Sequence, residues 1–98
     1  MPAPRDRDRA IALLRAIAHP GRLQVLLTLN RLGPMSVSEL QSHCGIEQSS
    51  MSHQLQVLRG ARLVTSERVG KRVIYDLHDK HVAHIVEDAL LHACERAA

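Results

Sequence analysis

Between Ser36 and Ala61 the chain spells two short helices joined by a glycine turn, and this constrains the fold more than any other stretch. Ser36 with Glu39 three residues later has the spacing of a capping box, which starts a helix. Cys44-Gly45 breaks that helix, and Ile46 follows as an apolar plug. "EQSSMSHQLQVLRGA" then places Met51, Leu55 and Leu58 on one inward face, with Gly60 at its end. Helix, short turn with glycine, helix is the helix-turn-helix pattern.

The flanks supply the rest of the fold. "RDRDRAIALLRAIAHPGR" carries Ile11, Leu14 and Ala18 at helical spacing, with Leu13 and Ile17 beside them. This predicts a first helix ending near His19-Pro20, because the residue before proline avoids the α region. Pro20 suits the first turn of a second helix, "PGRLQVLLTLNRLG", with Leu23, Leu26 and Leu27 setting its faces and Gly33-Pro34 stopping it. After the helix-turn-helix the period changes. "LVTSERV" and "RVIYDLH" are β-branched runs around Gly70-Lys71, which reads as a hairpin. The last segment, "DKHVAHIVEDALLHACE", returns to helix with Val82, Ile85, Val86, Ala89, Leu90 and Ala93 apolar. The expectation is a mainly α winged helix-turn-helix with a β-hairpin wing, one domain over residues 1–98. No repeat or long linker interrupts it.

The chain has no Phe or Trp and one Tyr, so its core must come from Leu, Ile, Val, Ala and Met. With 98 residues that core is modest, and the exposed apolar faces of the first and last helices predict a homodimer held by both. Ile11, Leu14, Ile85 and Leu90 are the residues expected to need a partner. A net charge of +3 permits a nucleic-acid partner without requiring one. Cys44 and Cys94 form no CxxC pair, which argues against a disulfide scaffold or a zinc finger. No apolar run reaches roughly 18 residues and no signal peptide opens the chain, so a cytoplasmic protein without membrane contact is expected.

"HPGRLQVLLTL", "SVSELQSHCGIEQSSMSHQLQVLRGARLV" and "RVGKRVIYDLHDKHV" resemble the ArsR/SmtB family of bacterial metal-sensing repressors, from about Ala10 to Glu95. The resemblance implies a winged helix-turn-helix that binds operator DNA. On the second helix of the motif, Gln48, Ser49, Ser52 and His53 put donors and acceptors on the early turns, the part such a helix points at base edges. Arg68, Lys71 and Arg72 at the hairpin suit phosphate or minor-groove contacts, and Arg59 and Arg62 suit phosphate. A solvated helix face and a solvated turn are the plain alternatives.

The last helix carries Asp79, His81, His92 and Glu95. An α-helix rises about 1.5 Å per residue, so His81 and His92 lie about 16 Å apart and cannot share an ion within one chain. Eleven residues are close to three turns, so both lie on nearly the same face. Pairing two such helices antiparallel brings Asp79 and His81 of one opposite His92 and Glu95 of the other, twice by symmetry. Two imidazoles and two carboxylates suit Zn²⁺, Co²⁺ or Ni²⁺, giving two symmetric metal sites per dimer. Solvent-facing polar residues are the other reading the spacing allows. The resemblance implies the same ligands: many family members carry an Asp-x-His pair from one subunit and a His-x-x-Glu or His-x-x-His pair from the other. His78 and His84 are further candidates, while His19 and His43 read as structural or exposed. Where the family's other site needs a cysteine pair, at the start of the third helix, this chain has Met35, Ser36, Val37 and Ser38, a departure that argues against a thiolate-based arsenic, cadmium or lead sensor.

Two alternatives keep the fold. One is a thiol or redox sensor using Cys94 and Cys44, although Cys44 sits about one turn late and reads better as structural. The other is a winged-helix protein-interaction module, against which the four polar groups on the recognition helix argue. No nucleophile–base pair or phosphate-binding loop is present, so neither an enzyme nor a small organic substrate is expected.

Overall fold

A computed structural model describes residues 2–95. The elements in chain order are α1 (Pro4–Ile17), α2 (Pro20–Leu32), β1 (Met35–Ser36), α3 (Val37–Cys44), α4 (Gln48–Gly60), β2 (Val64–Val69), β3 (Arg72–Leu77) and α5 (Lys80–Cys94).

Each boundary has a local chemical cause. Pro4 lies in the first turn of α1, where its missing N–H costs nothing, and Asp6 accepts from the Ala3 N–H at 3.0 Å. Between α1 and α2 the chain bends by 91°. His19 caps α2, its Nδ1 accepting from the N–H groups of Gly21 (3.1 Å) and Arg22 (3.3 Å). The expected capping box of α3 is present: the Ser36 hydroxyl accepts from the Glu39 N–H, and the Glu39 carboxylate accepts from the Ser36 N–H at 3.0 Å. Gly45 ends α3 in the left-handed region, at φ 65°.

The hairpin forms around Gly70, with Val64 opposite Leu77 and Val69 opposite Arg72. A third, two-residue strand joins it. Met35 pairs with Tyr75 and Ser36 with Ile74, giving the antiparallel order β1-β3-β2. This strand ties the start of the helix-turn-helix to the wing.

The core gathers Val25, Leu26, Leu29, Leu40, Met51, Leu55, Leu58, Leu63, Val64, Val82 and Val86, all at most 3% exposed. Burying each such side chain stabilises the fold by about 1.5–3 kcal/mol. On α2 the buried stripe is Val25, Leu26 and Leu29. Leu23 and Leu27, expected with Leu26 to set the faces of α2, are half-buried: they pack against the core and also line a groove toward α5. Ile46 is half-buried against the core, as a plug should be. Ile11 (43% exposed), Leu14 (54%), Leu90 (46%) and Leu91 (66%) remain open on α1 and α5. Ile85, expected with them, packs partly against the core of its own chain. No single helix among the described residues is long and apolar enough to cross a membrane.

Candidate nucleic-acid interface and metal centre

The recognition helix α4 is fixed by one face and free on the other. Met51, Leu55 and Leu58 are essentially fully buried, and Gln48, Ser49, Ser52 and His53 are exposed. Thus all four base-reading candidates share the open side of one anchored helix. Ser49 already donates locally, to Glu47 Oε1 at 2.8 Å.

Gln54 is a residue that the sequence reading passed over. It is 8% exposed, and its Oε1 accepts from the Arg22 guanidinium at 2.9 Å. The same guanidinium donates to the main-chain carbonyls of Ala16 and Arg15 at the end of α1. One side chain of α2 therefore holds the ends of α1 and the middle of α4 together. A signal existed: positions 51, 54, 55 and 58 form the i, i+3, i+4, i+7 stripe, so Gln54 is a polar residue at a core position. Such a group is nearly always hydrogen-bonded.

On the wing, Arg68 and Lys71 are exposed beside Gly70. Arg72 differs from them, because its guanidinium reaches the capping box of α3. There it pairs with Glu39 and donates to Ser36 Oγ at 3.0 Å. The main-chain N–H and hydroxyl of Ser36, with Arg72 beside them, hold the Glu39 carboxyl below the usual carboxylate range. Arg59 is exposed at the end of α4, and Arg62 follows with φ 61°, the one described non-glycine residue in the left-handed region.

The four metal-ligand candidates form two separate pairs within one chain. At the start of α5, Asp79 Oδ1 caps the helix by accepting from the N–H groups of His81 (2.9 Å) and Val82 (3.3 Å). His81 Nδ1 lies 3.5 Å from the same oxygen. The His78 ring, at 3.0 Å from Oδ2, together with these cap bonds holds the Asp79 carboxyl below its usual range. At the far end, His92 Nδ1 lies 3.3 Å from Glu95 Oε2. The side chains of His81 and His92 are 89% and 84% exposed, so their rings face outward from the single chain. Among the described residues of one chain no group of three or more His, Cys, Asp or Glu side chains is arranged so that it could hold a metal ion.

The donor set fits a borderline divalent ion. Each pair offers one imidazole and one carboxylate, that of Asp79 held below its usual range by its neighbours, and two such pairs together would make the N₂O₂ set that Zn²⁺ and its neighbours accept. A groove of about 540 Å³ runs beside the first pair, between α1 and α5, with Arg62, His78, Asp79 and His81 on its walls. His84 and His43 are exposed and His19 is used as a cap. Cys44 is half-buried with its Sγ 3.6 Å from Thr28 Oγ1, and Cys94 is exposed.

Residues 17–67 match the family described as a helix-turn-helix domain. The chain is 43% identical over 94 residues to the HTH-type transcriptional regulator NmtR of Mycobacterium tuberculosis, covering 93% of this chain and 78% of that one. It is 44% identical over 99 residues to the HTH-type transcriptional repressor SmtB of the same species, covering 98% and 73%. Among solved structures it resembles the homodimeric winged helix-turn-helix DNA-binding domain of Mb0332 from Mycobacterium bovis, described as a possible ArsR-family regulator. The TM-score is 0.84 at 26% identity, covering 94% of this chain and 87% of that one. With a family match over half its length and relatives this similar along nearly all of it, the chain belongs to the ArsR/SmtB family of winged helix-turn-helix transcriptional regulators.

Proposed function

We propose that this protein is a homodimeric, cytoplasmic repressor whose operator binding is modulated by Zn²⁺, Ni²⁺ or Co²⁺ held between two copies of α5. The observation that carries this reading is the pair of His–carboxylate couples at opposite ends of one exposed helix face. Each is half a ligand set. Antiparallel pairing of two α5 helices would join Asp79 and His81 of one protomer to His92 and Glu95 of the other. The homodimeric Mycobacterium bovis neighbour supports the assembly, as do the open apolar side chains Ile11, Leu14 and Leu90. That relatives are named regulators and repressors supports a regulator rather than an enzyme.

On DNA, Gln48, Ser49, Ser52 and His53 would read base edges while Arg68 and Lys71 meet phosphate. When bound, the metal supplies a cross-link that favours one arrangement of the two protomers. Asp79 and His81 fix the start of one α5, and His92 and Glu95 the end of its partner. The distance between the two recognition helices then follows from how the α5 pair sits. Metal binding and operator binding are linked, so DNA must change metal affinity by the same factor as metal changes DNA affinity.

The test is a gel-shift titration on a duplex that the metal-free protein has selected from a random pool, with Zn²⁺, Ni²⁺, Co²⁺ and an oxidant in parallel. At least one metal is expected to release the duplex at a concentration where the oxidant does not. Release by oxidant alone would replace this reading with the thiol one.

A further inference from the structure

The metal reading uses Asp79 but leaves its neighbour without a role. Asp79 has two oxygens, and both are engaged in the chain as it stands. Oδ1 is committed to α5, where it satisfies two N–H groups of the first turn. Oδ2 is the oxygen left for an ion, and it is the one His78 Nδ1 meets at 3.0 Å. A ring nitrogen facing a carboxylate carries the proton, so His78 donates. A carboxylate oxygen has a second lone pair and can accept a metal while keeping this hydrogen bond.

Residue 78 is itself anchored. Its main-chain N–H donates to the Leu63 carbonyl at 3.0 Å, and the Leu63 N–H donates to the Leu58 carbonyl, inside the last turns of α4, at 2.9 Å. Leu58 and Leu63 are both fully buried. The main chain of residue 78 is thus linked through Leu63 to the last turns of α4, and its imidazole in turn holds the Asp79 side chain.

Resting on the metal reading above, we propose that His78 is a positioning residue. It holds Asp79 Oδ2 in place for the ion and makes Asp79 and the end of α4 move as one. With the ring present, any shift of the Asp79 carboxylate toward a metal pulls on residue 78 and hence on Leu63. Without it, the side chain rotates alone and the recognition helix feels less. Hydrogen-bond partners of ligating groups are worth about 10–100-fold in metal affinity when removed.

The experiment titrates Co²⁺ into the full metal-free chain and follows its visible absorption, for wild type, His81→Ala, His78→Ala and His78→Gln. Operator affinity is measured with and without saturating Co²⁺. Wild type binds and His81→Ala does not. His78→Ala binds about 10–100-fold more weakly, with the same saturated spectrum, and its Co²⁺-dependent change in operator affinity shrinks while its metal-free operator affinity stays near wild type. His78→Gln, whose amide can donate to Asp79, recovers most of the loss. If His78→Ala melts below the working temperature, His78→Phe keeps the ring bulk without the donor and serves in its place.

His78→Ala matching wild type in affinity or in coupling overturns the proposal and leaves the metal reading intact. So does a changed saturated spectrum, which would make His78 a ligand. A wild type that binds no Co²⁺ defeats the metal reading itself, and this inference with it.

Discussion

At the residue scale, the exposed groups of α4 and the wing divide by what they can tell about DNA. Base contacts carry sequence information and phosphate contacts do not. Ser52→Ala and His53→Ala should therefore weaken operator binding by about 1–3 kcal/mol each and leave non-specific binding nearly unchanged. Competition with random duplex checks this, and wild-type operator affinity in both variants would remove these two residues from the interface. Arg68→Ala and Lys71→Ala should weaken all DNA alike and lower the salt slope by about one each. Arg72 was grouped with these two on sequence, but its guanidinium is taken up by Glu39 and Ser36, so Arg72→Ala should lower the slope least of the three. The difference between Lys71 and Arg72 was not legible in the chain, because a cross-strand register has to be known before position 72 can be placed beside α3. The Asp79-x-His81 and His92-x-x-Glu95 spacings were legible, since a helix fixes which residues share a face.

At the element scale, the helices were legible wherever a cap or breaker marked them, and obscure where a tertiary contact did the work. Ser36 with Glu39 and Gly45 announced α3 at both ends, and "VTSERV" and "RVIYDL" announced the hairpin. Two residues are too few for any periodicity, so β1 was invisible until β3 was there to pair with it. The His19 cap was equally hidden, because histidine is an uncommon N-cap and its ring lies where Gly21 leaves room. Ser36→Ala should cost about 1 kcal/mol of stability, read from denaturant midpoints, and a value near zero would mean the box is idle. The pH dependence follows from Glu39. Its folded carboxyl titrates below its ordinary value, so its contribution is complete above the usual carboxylate range and is lost as pH falls through the lowered folded value. Glu39→Gln should flatten that acid limb of the stability profile, and an unchanged limb would show that other carboxylates govern it.

At the scale of the whole molecule, the chain leaves unfinished business on α1 and α5. Ile11, Leu14, Leu90 and Leu91 face outward, and so do His81 and His92. A second copy would cover the first set and complete the second. We expect a dimer without metal, and sedimentation as a stable monomer at micromolar concentration would contradict it. The most direct measurement mixes two inactive partners. His81→Ala and His92→Ala are each expected to lose high-affinity metal, because each removes one imidazole from both symmetric sites. In the exchanged heterodimer, one site draws His81 from the chain that kept it and His92 from the chain that kept that one, while the other site lacks both. Metal binding should return at one ion per heterodimer. If subunit exchange is shown to occur and no binding returns, the ligands do not meet across the two chains and the interfacial metal site is wrong.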